Sequence, residues 1–300
     1  MFSNILKSAV IAAIAVASLN AAQFNAQAEK DRKALIKYFE DKFKDPKKND
    51  ATFFPYSTDN ELTNTIKKGV KFEEFAKGSY SFNKVGLQTY NEMKEMPPYE
   101  NAIDKGKELY EASAALKKCF PDVKIAGDYP LFDEKRKDVV TLTQAINECV
   151  VGGGGQKLNE NEGDLAYIEA YFASKTGEAG KKVNIKIDSK DAAAAYERGK
   201  EYYYSQRGYL KLSCAECHVQ GAGQRVRNEY MSPLLGHTTH FPVYRLEWQD
   251  LGTLEKRFEG CVKDQGQIPP KATSKEMKEL IFFSAYMSNG LPVDGPDVRK

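Results

Sequence analysis

Two thiols and an imidazole fall within five residues at Cys214-Ala215-Glu216-Cys217-His218. A chain with C-x-x-C-H at this spacing must fold so that all three side chains meet one bound group. The group this spacing takes is a c-type haem. The two cysteines form thioethers to the vinyl groups, and the histidine reaches the iron as an axial ligand. C-x-x-C alone also serves zinc or a redox dithiol. The histidine directly after the second cysteine, and an exported chain, favour haem.

Export follows from the first 28 residues, which have the layout of a secretory signal. Lys7 supplies the positive end, Ala9 to Leu19 the apolar run, and Ala26-Gln27-Ala28 a small-residue cleavage site. The apolar run is shorter than the ~20 residues needed to span a bilayer, and no later segment is apolar enough to span. The mature chain is therefore expected in a periplasm. Removing 28 of 300 residues leaves 272, which at ~100–200 residues per domain suggests two domains. The formal charge of +2 falls to +1 with the loss of Lys7, and nothing in it points to nucleic acid. Five cysteines is an odd count for an oxidising compartment, so each needs an assignment.

The chain repeats itself. Gly106-Lys107-Glu108-Leu109-Tyr110 precedes Cys119, and Gly199-Lys200-Glu201-Tyr202-Tyr203 precedes Cys214. In each, a glycine and an aromatic four residues apart share a helix face. Tyr129-Pro130-Leu131-Phe132 parallels Phe241-Pro242-Val243-Tyr244, and 19 positions separate Pro130 from Cys149 and Pro242 from Cys261. Thr141-Leu142 and Thr253-Leu254 stand before those cysteines, and Leu165 to Ser174 resembles Leu280 to Ser288 as a closing helix. Common order and spacing indicate duplication. The expected fold is mainly α: two tandem cytochrome c-like domains at 29–175 and 191–300, with a linker over 176–190.

Only the second copy holds C-x-x-C-H; the first has Cys119 alone, followed by Phe120-Pro121-Asp122. The first domain is expected to have kept the fold and lost the haem. Cys119 and Cys149, near the vacated place, are expected to form a disulfide, two buried free thiols being the alternative. One haem c is expected, on Cys214 and Cys217, with His218 as proximal ligand. Cys261 is left over, in the region that supplies the distal ligand in small c-type cytochromes. The repeat favours Cys261 for that place, with His237, His240 and Met231 as alternatives. A thiolate would stabilise ferric iron and lower the potential. Arg257, four residues earlier, shares a helix face with Cys261 and could grip an oxyanion with its guanidinium fork.

Lesser features carry no chemistry. Gly152 to Gly155 lacks the Lys-Ser/Thr of a phosphate loop and is expected to be a flexible turn. Arg32 to Phe43 suits an amphipathic helix. Aromatic alternation over Ser79 to Tyr90 suits a small β-hairpin in the first domain. Ser174 to Asp191 suits an interdomain linker, and Trp248 is expected to pack near the haem.

Taken together, Cys214-Ala215-Glu216-Cys217-His218, Gly236-His237, Phe241-Pro242-Val243-Tyr244-Arg245-Leu246, Gly252-Thr253-Leu254 and Arg257-Phe258-Glu259-Gly260-Cys261 resemble the SoxA family, over roughly Asp59 to Arg299. The resemblance is to its single-haem kind. It implies an L-cysteine S-thiosulfotransferase subunit that works with a SoxX-like cytochrome. Together they oxidatively join thiosulfate to a cysteine of a SoxYZ-like carrier, and two electrons leave through haem. It also implies that Cys261 is both distal ligand and active cysteine, as a persulfide, and that Arg257 holds thiosulfate. After Cys261 the chain departs from the family: Val262-Lys263-Asp264-Gln265 stand where an asparagine and a nearby basic residue are usual. Two other functions would use the same residues, a plain electron carrier and a scaffold with structural haem.

Overall fold

A computed structural model of the chain describes residues 23–45, 65–226 and 229–299. The apolar run of the expected signal lies outside the described residues. The expected cleavage site, Ala26-Gln27-Ala28, opens helix α1 (Ala26–Lys42). Among the described residues, no helix is long and apolar enough to cross a membrane.

The same series of elements occurs twice. In the first half a leading helix, α3 (Glu100–Ala112), is followed by α4 (Ala114–Cys119), the hairpin β1 (Leu131–Asp133) and β2 (Asp138–Val140), then α5 (Leu142–Gly152) and α6 (Asp164–Glu178). In the second half α7 (Lys190–Tyr204) leads to a π-helical turn at Glu216–Gln220 and the short pair β3 (Arg225–Val226) and β4 (Glu229–Tyr230). The hairpin β5 (Val243–Arg245) and β6 (Asp250–Gly252) and helices α8 (Leu254–Asp264) and α9 (Lys275–Met287) complete it. Helix α2 (Lys84–Glu95) precedes both halves.

Matching sequence signals build matching local structure. Thr141 and Thr253 each cap their helix, accepting from the backbone N–H of Gln144 and Lys256. Both hairpins turn on a residue at positive φ, Lys137 (φ 55) and Gln249 (φ 54), and Pro130 and Pro242 both follow cis peptide bonds. Gly106 lets α3 cross α6 at close range, since a Cβ there would lie 1.8 Å from the carbonyl oxygen of Tyr167. Gly199 does the same for α7 on α9. A strand with no counterpart among the described residues of the first half, β7 (Asp297–Arg299), runs parallel to β5 and pairs Arg245 with Arg299.

Three expectations about layout change. Ser79 to Tyr90 is no hairpin: a 3₁₀ segment, Phe72–Ser81, runs into α2, which Asn83 caps by accepting from the N–H of Gly86. Tyr80 and Tyr90 stack at 4.7 Å from either side of that cap. The first half's hairpin is β1–β2 instead. Ser174 to Asp191 is no loose linker: α6 continues to Glu178, and Val183, Ile185 and Ile187 point inward alternately from an extended strap. Finally, Leu35, Phe39, Phe43, Phe75 and Phe82 share one core with Tyr196, Tyr203, Phe282 and Phe283 of the second half. The expected partition placed them with the first half, whose own core is Leu116, Phe120, Ile146, Leu165, Ile168 and Phe172. The apolar faces of α1 and of the 3₁₀ segment are complementary to α7 and α9, and burying them there covers the C-x-x-C-H half.

Candidate haem and sulfur site

Ser213 and Glu216 set the start of the C-x-x-C-H turn. The Ser213 hydroxyl accepts from the Glu216 N–H at 3.2 Å, and the Glu216 carboxylate accepts from the Ser213 N–H at 2.8 Å. This reciprocal capping box fixes the first turn, from which Cys214 and His218 reach one cavity. S-C-A-E was visible as a capping box in the sequence but was overshadowed by the cysteines.

Cys214, His218, Arg257 and Cys261 line a single cavity with about 1150 Å³ of atom-free space, which Tyr203, Met231, His237, His240 and Arg299 also line. Cys217 is not on that wall, although the charge of Cys261 reaches it. Arg257 and Cys261 both project from α8, one turn apart. Burial pushes the Cys214 thiol up to about 12, with the Cys261 charge adding to it. A charge at Cys261 that reaches the Cys214 thiol puts the two sulfurs in one site.

The imidazoles are sorted by their hydrogen bonds. Burial pulls His218 down to about 4 and holds His237 and His240 well below the usual histidine range, so all three are neutral. His218 Nδ1 lies 2.8 Å from the Ser232 carbonyl. A carbonyl only accepts, so the proton is on Nδ1 and the Nε2 lone pair is left for a metal. His237 is spent differently. Its Nε2 lies 3.1 Å from His218 Nδ1 and 3.3 Å from the Ser232 hydroxyl, so it supports His218. His240 donates from Nδ1 to the Gly236 carbonyl. The loop bearing these two is pinned at Gly236, whose N–H donates to Ser288. Its φ of +84 brings it so near Phe75 that a Cβ would lie 2.1 Å from that carbonyl oxygen.

These residues fit a c-type haem. A neutral histidine with an oriented Nε2, a thiol on its own turn and a second thiol on α8 surround one cavity of suitable size. Trp248 is not part of it: the ring lies under Lys256 Nζ at 4.5 Å and Arg245 at 5.5 Å, outside the cavity wall. In the first half, Cys119 and Cys149 are joined in a disulfide with Cα atoms 6.3 Å apart, within the range that such bonds span.

Two features carry no sequence motif. Glu169 and Glu255 are both buried beside a second, smaller cavity that reaches the underside of α8. Thr143 donates to Glu169 at 2.6 Å. Thr143 and Thr141 also hydrogen-bond to Glu255 and hold its carboxyl down, against burial. Burial outweighs these bonds and raises both carboxyls, Glu255 to about 7. Glu169 in the apolar run Leu165 to Ser174 was the available sequence signal. Arg299 had none. It is buried, held through Nη1 by the Asp297 carboxylate and the Val298 carbonyl, and laid over the Tyr80 and Tyr90 rings at 5.0 and 5.4 Å.

Residues 198–293 match the family model "SoxA/TsdA, cytochrome c domain", a span that holds Cys214, Cys217, His218, Arg257 and Cys261. The chain is 45% identical over 237 residues to the L-cysteine S-thiosulfotransferase subunit SoxA of Chlorobaculum thiosulfatiphilum, covering 77% of this chain and 82% of that one. It is 39% identical over 233 residues to the subunit of the same name from Allochromatium vinosum, covering 76% and 83%. Its fold superposes on the crystal structure of SoxXA from P. pantotrophus with a TM-score of 0.64 at 28% identity, covering 71% of this chain and 84% of that chain. A c-type haem half with a second thiol on α8, matched over most of its length by these relatives, places the chain in the SoxA family.

Proposed function

We propose that the chain is the A subunit of a periplasmic L-cysteine S-thiosulfotransferase. On this reading it is a haem-thiolate c-type cytochrome that conjugates thiosulfate to a cysteine of a SoxYZ-like carrier. The single observation that carries the reading is that Arg257 and Cys261, one turn apart on α8, face the cavity lined by Cys214 and His218. The names of the relatives agree with it, and the structural neighbour's pairing supports a SoxX-like partner. One haem, on the second of the two tandem halves, follows from the single C-x-x-C-H.

Cys214 and Cys217 would anchor the haem, and His218 would offer the iron the nitrogen that its bond to Ser232 leaves free. Haem c supplies a one-electron acceptor linked to a cytochrome partner. Arg257 presents a planar fork of N–H donors to the sulfonate end of thiosulfate, a match that a lysine would make less well. This would turn the terminal sulfur toward Cys261, which would offer its sulfur to the haem iron and, as a persulfide, keep its inner sulfur anchored and its outer sulfur reactive. In the net reaction a carrier thiolate and the terminal sulfur of thiosulfate form one S–S bond. Two electrons leave and no proton is transferred.

Cys261→Ser tests the proposal. The variant should keep its covalent haem and lose thiosulfate-dependent mass gain on the carrier. If carrier modification continued at the normal rate, the chain would be an electron carrier only.

A further inference from the structure

Arg245 and Arg299 are directly paired across the parallel strands β5 and β7, and both line the haem cavity. Like charges paired across a sheet destabilise it unless an opposite charge lies between them. Asp297 answers Arg299 on the Nη1 side. Arg299 is only 9% exposed, and its Nη2 has no hydrogen-bond partner among the described residues. A buried donor without an acceptor bears its full desolvation cost. The Nη2 side is next to the support of His218: a Cβ on Gly78 would lie 3.7 Å from Arg299 Nη2 and also 3.7 Å from the Ser232 Cβ. Ser232 is the residue whose carbonyl holds His218.

We infer that Arg299, with Arg245 beside it, forms a carboxylate cradle that takes a propionate of the haem. The inference rests on the haem reading above. A haem carries two carboxylates that stay in place, whereas a substrate oxyanion comes and goes and would leave Nη2 bare between turnovers. Arg299 comes from β7 beside Ser232, whereas Arg257 comes from α8, one turn before Cys261. Lys94 joins the group from α2, 3.4 Å from Asp297.

Resonance Raman spectra of the purified holoprotein test this with Arg299→Gln and Arg299→Lys. Haem content is measured first as the pyridine haemochrome. Arg299→Gln should shift the propionate bending band and lower the midpoint potential. Arg299→Lys should shift the band less, and KM for thiosulfate should stay within about twofold in both. Should Arg299→Gln not accumulate because Asp297 has lost its partner, the double variant Arg299→Gln/Asp297→Asn gives the same readout. A propionate band unmoved in a haem-loaded variant overturns the inference, and an accompanying rise of about tenfold in KM would place the substrate oxyanion at Nη2 instead. Absence of haem from the wild-type chain would overturn the site reading itself, a separate outcome.

Discussion

Gly199 and Glu279 meet backbone to backbone: a Cβ on the glycine would lie 2.0 Å from the carbonyl oxygen of the glutamate. That contact seats α7, which leads into the C-x-x-C-H turn, on α9, whose Ser288 pins the loop bearing His237 and His240. Gly199→Ala should force the helices apart and cost about 3 kcal/mol, read as a lower urea midpoint. An unchanged midpoint would mean that the crossing is looser than described.

The Cys119–Cys149 bridge closes a loop of 30 residues. In the chain-entropy account, such a loop constrains the unfolded state by about 3–4 kcal/mol. Cys119→Ser/Cys149→Ser should lose about that much stability while the haem spectrum is unchanged, because the bridge belongs to the first half's core. A changed spectrum would show coupling between the halves beyond this account.

Glu169 and Glu255 give the molecule a pH-dependent stability. Burial raises both carboxyls above their unfolded values, Glu255 to about 7. Thr141 and Thr143 hydrogen-bond to Glu255, and Glu160 adds its charge. The folded state therefore holds more protons than the unfolded state. Their contribution is fully present below the unfolded glutamate range and is lost as pH rises toward 7. Denaturation midpoints should fall from pH 5 to pH 7, and Glu255→Gln should flatten that slope. A slope equally steep in the variant would contradict the assignment.

On the proposed reading, Arg257 grips thiosulfate. Arg257→Ala should raise KM for thiosulfate by about tenfold or more at unchanged haem content, and Arg257→Lys should recover part of the loss because it keeps the charge without the fork. Equal losses in both variants with KM unchanged would assign Arg257 to positioning α8.

Local chemistry made much of this legible in the sequence. The repeat matched Thr141 with Thr253, Gly106 with Gly199, and Tyr129-Pro130 with Phe241-Pro242, while their roles as caps and crossing points needed the fold. C-x-x-C-H needs its residues adjacent, so it could be seen without a fold. What was missed depends on distant partners. Arg299 joins the cavity only because β7 pairs with β5, and Glu255 is acid-paired only because α8 packs near Glu169. The aromatic alternation over Ser79 to Tyr90 suggested a strand, yet the Asn83 cap and burial of Tyr80 and Tyr90 favoured a helix. Phe39 and Phe75 promised a core without saying which half it would cover.

The central claim of the proposed function is that Cys261 and His218 would both bind the haem iron. Electron paramagnetic resonance of the ferric holoprotein, compared with Cys261→Ser, tests it most directly. The account predicts a low-spin thiolate signal in the wild type that disappears in the variant. The same signal in both proteins, with the signature of a methionine or second imidazole ligand, would contradict it.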